Sequence, residues 1–99
     1  PSEVSLDEAY DAARMVALNM LATLKNEIGD LDRVRRFIKV LGMVNAEPDF
    51  EQQPKVINGF SDLMVEIFGD SGRCPRSAVG LGSLPFQIPV EIEAIVELK

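Results

Sequence analysis

Apolar residues recur at helical spacing through the first third of the chain. Leu6, Tyr10, Ala13, Ala17, Leu21, Leu24 and Ile28 fall on one side of a 3.6-residue turn, and Val16 and Met20 widen the stripe. Ser5 precedes this run and Glu8 stands three residues later, the pattern of a capping box. Asp7 and Glu8 also put negative charge at the positive helix end, and Gly29 supplies a left-handed stop. The pattern predicts a helix over Leu6–Ile28 that covers a sheet, with Met15 and Met20 in the packing surface.

From Arg33 to Val44 the residues alternate in type and are rich in β-branched side chains, which predicts a strand. Strict alternation puts Val34, Ile38, Val40 and Val44 on one face. Arg35, Phe37, Lys39, Leu41 and Met43 share the other, a mixed basic and apolar face. Asn45–Gln53 reads as a loop, and Pro54 suits the first turn of a second helix. There Val56, Phe60, Leu63 and Ile67 form a stripe flanked by Ile57, Met64 and Phe68, and Gly69 ends it. Arg76–Ser83 follows as a short strand weakened by Gly80 and Gly82. Leu84–Pro89 connects it to a last strand, Val90–Leu98. On that strand Val90, Ile92, Ala94, Val96 and Leu98 point one way, and Glu91, Glu93, Ile95 and Glu97 the other.

The order helix, strand, helix, strand, strand, without repeat or linker, predicts one domain over residues 1–99. Two amphipathic helices on one face of a sheet make an α+β sandwich. The second sheet face is too apolar to stay wet and too charged for an ordinary core. It therefore predicts a subunit interface with a polar cavity, where Arg35 and Lys39 pair with Glu91, Glu93 and Glu97 across or within subunits.

Composition narrows the chemistry. The chain has 99 residues, 46% hydrophobic and 26% charged, which fits a small soluble domain that gains by self-association. No apolar run is long enough for a bilayer and no signal-peptide pattern is present, so the cytoplasm is the expected location. The one cysteine, Cys74, excludes an internal disulfide. The absence of histidine removes the usual neutral-pH base and the commonest metal ligand. A net charge of −6 disfavours nucleic acid, and the most basic stretch, Arg33–Lys39, reads as solvated or paired charges on one sheet face. Arginine and carboxylates are left to carry any chemistry.

The end of the chain carries a recognisable pattern: Arg76-Ser77, then Leu84-Pro85, then "VEIEAI" from Val90 to Ile95. It resembles the C-terminal signature of the RidA family, also called the YjgF or L-PSP endoribonuclease-like family. The similarity extends upstream through "GDLDRV…VLGMV", Asp49-Phe50 and the helix carrying Asn58, and so covers nearly the whole chain. The resemblance implies a chorismate-mutase-like α+β sandwich, assembled as a homotrimer with small-molecule clefts between neighbouring subunits. It further implies hydrolysis of reactive enamines and imines, of the 2-aminoacrylate type, to 2-keto acids and ammonia, with no metal or organic cofactor. Arg76 matches the position that grips the substrate carboxylate, and Glu91 the one that orients water or moves protons. Asn58 matches a cleft position. Ala78 stands at a substrate-lining place where some relatives carry a cysteine. Family members begin with strands ahead of the first helix, so the resemblance also implies that N-terminal strands are missing from a chain starting at Pro1.

Blander roles compete for the same residues. Arg76 alternatively pairs with Asp70, Glu91 or Glu93; Glu91 is alternatively a solvated member of an acidic face, and Asn58 a helix-surface polar residue. Gly59, costly in mid-helix, points to close packing there. Arg73 and Arg76 tend to lower the pKa of Cys74, yet without a base partner it reads as an incidental thiol. The alternative function is a non-catalytic binder of small carboxylates in the same trimer. A ribonuclease fits poorly with the charge and the missing histidine.

Overall fold

Helix α1 spans Leu6–Ile28 and opens with the expected capping box: Glu8 N donates to Ser5 Oγ at 3.1 Å, and Ser5 N donates to Glu8 Oε1 at 3.2 Å. Gly29 ends it with φ 84°. The structure, a computed structural model, describes residues 4–46, 49–85 and 88–99. Parts of the two expected connecting loops, residues 47–48 and 86–87, lie outside the described residues, as do residues 1–3.

Ala9, Ala13 and Ala17 of α1 are fully buried. Spaced four apart, they make one smooth face that lets helix α2 (Gln53–Phe68) lie unusually near. Gly59 of α2 sits so close to α1 that an added Cβ would be 2.1 Å from the Tyr10 carbonyl oxygen. Outside this contact Tyr10 Oη donates to Asp62 Oδ2 at 2.7 Å, and Arg14 pairs with Glu66 at 3.0 Å. Met15 does not join the packing surface and is 56% exposed. It lies two residues from both Ala13 and Ala17, about 200° around the helix axis from the buried face.

The sheet is mixed, with order β2-β1-β3. The central strand β1 (Val34–Asn45) runs parallel to β2 (Arg76–Leu81) and antiparallel to β3 (Val90–Leu98). The β1–α2–β2 crossover supplies the parallel pair, as such pairs require. Both helices pack on one face of this sheet, which is the predicted α+β layering.

The face assignment on β1 needs correction. Val34 pairs with Leu98, Arg36 with Glu97, Phe37 with Val96 and Lys39 with Ile95, so Arg35 and Ile38 are each one residue too many for β3. These two bulges break the two-residue alternation. Phe37, expected on the far face, therefore enters the core with Val34 and Val40, while Ile38 is turned out to 42% exposure. Phe37 meets Phe60 edge-on at 6.2 Å and Phe68 at 5.7 Å between ring centres. Phe68 thus fills the end of the α2 stripe, and Ile67, expected there, is exposed. Farther along β1, Gly42 leaves room for Ile57, whose side chain would lie 2.6 Å from an added Cβ.

On β3 the predicted faces match the burial as far as Val96: Val90 and Ile92 are in the core, with Ala94 and Val96 packed against it, while Leu98, expected on the same face, is exposed. The outer face carries Leu41, Ile95 at 58% exposure, and the exposed Val79 and Leu81 of β2. Of the expected ion pairs there, Arg35 reaches Glu97 at 3.7 Å, and Arg36 shares that carboxylate at 3.1 Å. Lys39 donates to Ser77 Oγ at 3.0 Å instead of meeting a glutamate. Among the described residues Glu91 and Glu93 form no ion pair.

Candidate functional site

Arg76 is the first residue of β2 and sits beside Val40 in the parallel register. Val40 is buried beneath the helices, so Arg76 also points to the helix side of the sheet. There its guanidinium meets one face of α2. Nη1 donates to Ser61 Oγ at 2.9 Å, and Nη2 donates to Asn58 Oδ1 at 2.8 Å and to the Pro54 carbonyl at 3.3 Å. Residues 54, 58 and 61 are one turn apart each, which is why a single planar fork reaches all three.

All three acceptors are neutral. Among the described residues no carboxylate pairs with Arg76: Asp70 pairs with Arg73 at 3.3 Å, and neither Glu91 nor Glu93 approaches it. The guanidinium is therefore fixed in direction while its charge stays uncompensated by these groups. Nε and one Nη1 hydrogen also have no protein partner among the described residues, so two N–H donors remain for a ligand. An oriented, uncompensated arginine suits capture of a carboxylate.

The structure brings Arg76 and Asn58 together and leaves Glu91 apart. Ala78, two residues after Arg76, is on the same face beside Gly42 and packs against the core. Glu91 lies between the core residues Val90 and Ile92 on β3, so it projects from the opposite, outer face, beside Met43. Within one chain the sheet itself separates Arg76 from Glu91. Sequence reasoning missed Ser61 and the Pro54 carbonyl. The available signal was Asn58 and Ser61 as uncharged polar residues at helical spacing within the largely apolar Val56–Met64 segment.

Cys74, expected as an incidental thiol, lies near Arg76. It is half-buried, and burial pushes the thiol pKa up, more than the nearby Arg76 charge lowers it. The neutral thiol is favoured. Among the described residues no cluster of three or more acidic or cysteine side chains is placed to hold a metal ion, and no helix is long and apolar enough to cross a membrane.

Residues 2–95 match the family described as "YjgF/chorismate_mutase-like, putative endoribonuclease". The chain belongs to this YjgF-like family. Protein TCP17 of Trypanosoma cruzi is 43% identical over 99 residues, covering 99% of this chain and 62% of the relative. Among solved structures, the protein Atu1372 of Agrobacterium tumefaciens, described as of unknown function, superposes with a TM-score of 0.93 at 47% identity over 96% of this chain and 61% of its own. A "putative endoribonuclease" from Shewanella oneidensis superposes with a TM-score of 0.89 at 32% identity, over 95% and 62% of the two chains. The chain thus spans about three-fifths of the length of these YjgF-like relatives. Its sheet of three strands and two helices is the part of the fold it has in common with them.

Proposed function

We propose that this YjgF-like domain takes part in hydrolysis of reactive 2-imino and enamine acids to 2-keto acids and ammonia, at a cleft between copies of the chain. The observation that carries this reading is Arg76, held by neutral partners on α2 with its charge uncompensated among the described residues. In the proposed step the substrate carboxylate binds Arg76, worth about 1.5–3 kcal/mol as a charge-assisted hydrogen bond. Water then adds to the protonated imine carbon, and the carbinolamine expels ammonia to leave the ketone. Glu91 takes one proton from the attacking water and delivers it to the departing nitrogen, and the carbinolamine hydroxyl gives up the other as the carbonyl forms, so that the nitrogen ends as ammonium. A protonated imine is already electrophilic, so the reaction asks only for grip and proton transfer.

Because one chain holds Arg76 and Glu91 on opposite sheet faces, this reading requires Glu91 to come from a neighbouring copy. The outer face that carries Glu91 also carries the exposed Ile95, Val79 and Leu81, apolar surface that association would cover. A homotrimer working in the cytoplasm is the proposed form. The second reading, a non-catalytic binder of small carboxylates, uses the same Arg76 and dispenses with Glu91.

The deciding assay generates 2-aminoacrylate or 2-iminobutyrate in situ and measures keto-acid release with and without the protein. Rate enhancement lost in both Arg76→Ala and Glu91→Gln supports the enzyme. Carboxylate binding that depends on Arg76 with no rate enhancement supports the binder. RNA cleavage that survives both substitutions in a nuclease-free preparation overturns both readings.

A further inference from the structure

A groove of about 380 Å³ opens beside the start of β1; Pro75, the neighbour of Arg76 in the chain, lines it, but Arg76, Asn58 and Glu91 do not. Its walls include Arg35, Arg36, Ile38, Asp70, Ser71 and Arg73. Both bulged residues of β1, Arg35 and Ile38, line it. A bulge gives up regular pairing and re-aims a side chain, and here two of them do so into one groove.

The three arginines share a mode of attachment. Arg35 and Arg36 approach the same Glu97 oxygen through Nε, at 3.7 and 3.1 Å, and Arg73 donates to Asp70 through Nε at 3.3 Å. Arg36 and Arg73 are hydrogen-bonded at this inner nitrogen, and Arg35 is drawn to Glu97 by charge alone. Among the described residues none of their terminal nitrogens has a protein partner. Three cations face two carboxylates, on a chain whose net charge is −6.

We propose that this groove binds a small phosphate monoester. A phosphoryl group carries close to two negative charges at neutral pH and three strong acceptor oxygens, which suit several guanidinium forks at once. It would engage the terminal nitrogens without displacing Glu97 or Asp70, since these hold only Nε. The Ser71 hydroxyl adds a donor, and the exposed Ile38 offers apolar surface for a short organic group. The volume suits a small molecule. The negative charge of the whole chain repels a long polyphosphate strand, which favours the monoester over RNA.

The test is a calorimetric titration of the intact protein at low ionic strength with inorganic phosphate, glycerol phosphate, acetate and a single-stranded RNA oligonucleotide. Saturable binding is expected for glycerol phosphate and, more weakly, for inorganic phosphate, with acetate at least tenfold weaker. Arg73→Gln and Arg35→Gln should each weaken the monoester about tenfold or more while leaving the thermal midpoint nearly unchanged, since both side chains are exposed. Arg76→Ala should leave this binding intact, so loss of imine chemistry and loss of phosphate binding are separable. No saturable monoester binding, or binding indifferent to both substitutions, overturns the proposal. Arg73-dependent binding of RNA tighter than of the monoester overturns it as well and assigns the patch to nucleic acid.

Discussion

Replacing Gly59 by alanine tests the closeness of the two helices, and with it the platform that holds Arg76. The new Cβ would sit 2.1 Å from the Tyr10 carbonyl oxygen and 3.1 Å from the Ala13 Cβ. Ordinary contact begins at 3.4 Å, so the helices must part by roughly an ångström, and no rotamer change relieves a clash with backbone. Overpacking of this kind costs about 1–3 kcal/mol, with the upper end expected against backbone. Alanine is intrinsically the better helix former by about 1 kcal/mol, which offsets part of it. The net expectation is a loss of about 2 kcal/mol, or roughly 8–16 °C in thermal midpoint for a domain of this size. Asn58 adjoins Gly59, so the displacement should also disturb its 2.8 Å bond to Arg76 and weaken carboxylate binding. Thermal and urea unfolding of Gly59→Ala, with Gly82→Ala as the open-space control, measures the first effect; titration with a 2-keto acid measures the second. A Gly59→Ala protein as stable as the parent would refute the reasoning, because helix propensity would then outweigh the supposed contact.

Two further outcomes follow from the packing and the charges. Phe37→Ala should cost about 3–5 kcal/mol and Ile38→Ala no more than about 1, by urea denaturation, because the bulges bury Phe37 and expose Ile38; a reversed order would contradict the observed register. Tyr10 has its pKa raised above 10.0, first by the hydrogen bond to Asp62 and then by burial and the Asp62 charge. A raised pKa means the protonated phenol is favoured by folding, so its contribution is fully present below the ordinary tyrosine pKa and is lost as pH rises through the folded value. Stability should therefore fall in alkaline solution, and Tyr10→Phe should reduce that dependence. As the chain has one tyrosine and no tryptophan, phenolate absorbance reads this titration directly, and a midpoint at or below 10 would contradict it.

Much of the architecture was legible in the order of residues. The Ser5–Glu8 box, the apolar spacing of α1, Gly29 and Gly69 as stops, and the alternation of β3 each depend on neighbours within one element, so local pattern suffices to place them. The terminal Arg76–Ser77 and Val90–Ile95 motif pointed to the YjgF-like family, which the match over residues 2–95 shows. Gly59 announced a close approach but not its partner; Tyr10 is brought there only by packing of two helices whose facing residues lie far apart in sequence.

Tertiary structure decided the rest. Whether Phe37 or Ile38 enters the core depends on how β1 aligns with a strand from the far end of the chain, and two extra residues reverse the answer that alternation gives. The sequence offered Asp70, Glu91 and Glu93 as protein partners of Arg76, and only the docking of α2, which lays residues 54, 58 and 61 across it, gave it neutral ones instead. The separation of Arg76 from Glu91 likewise comes from the parity of two strands on either side of β1. Periodicity within an element records which side chains share a face; only the pairing and stacking of elements fixes which faces meet, because those contacts are made between residues that the chain itself keeps far apart.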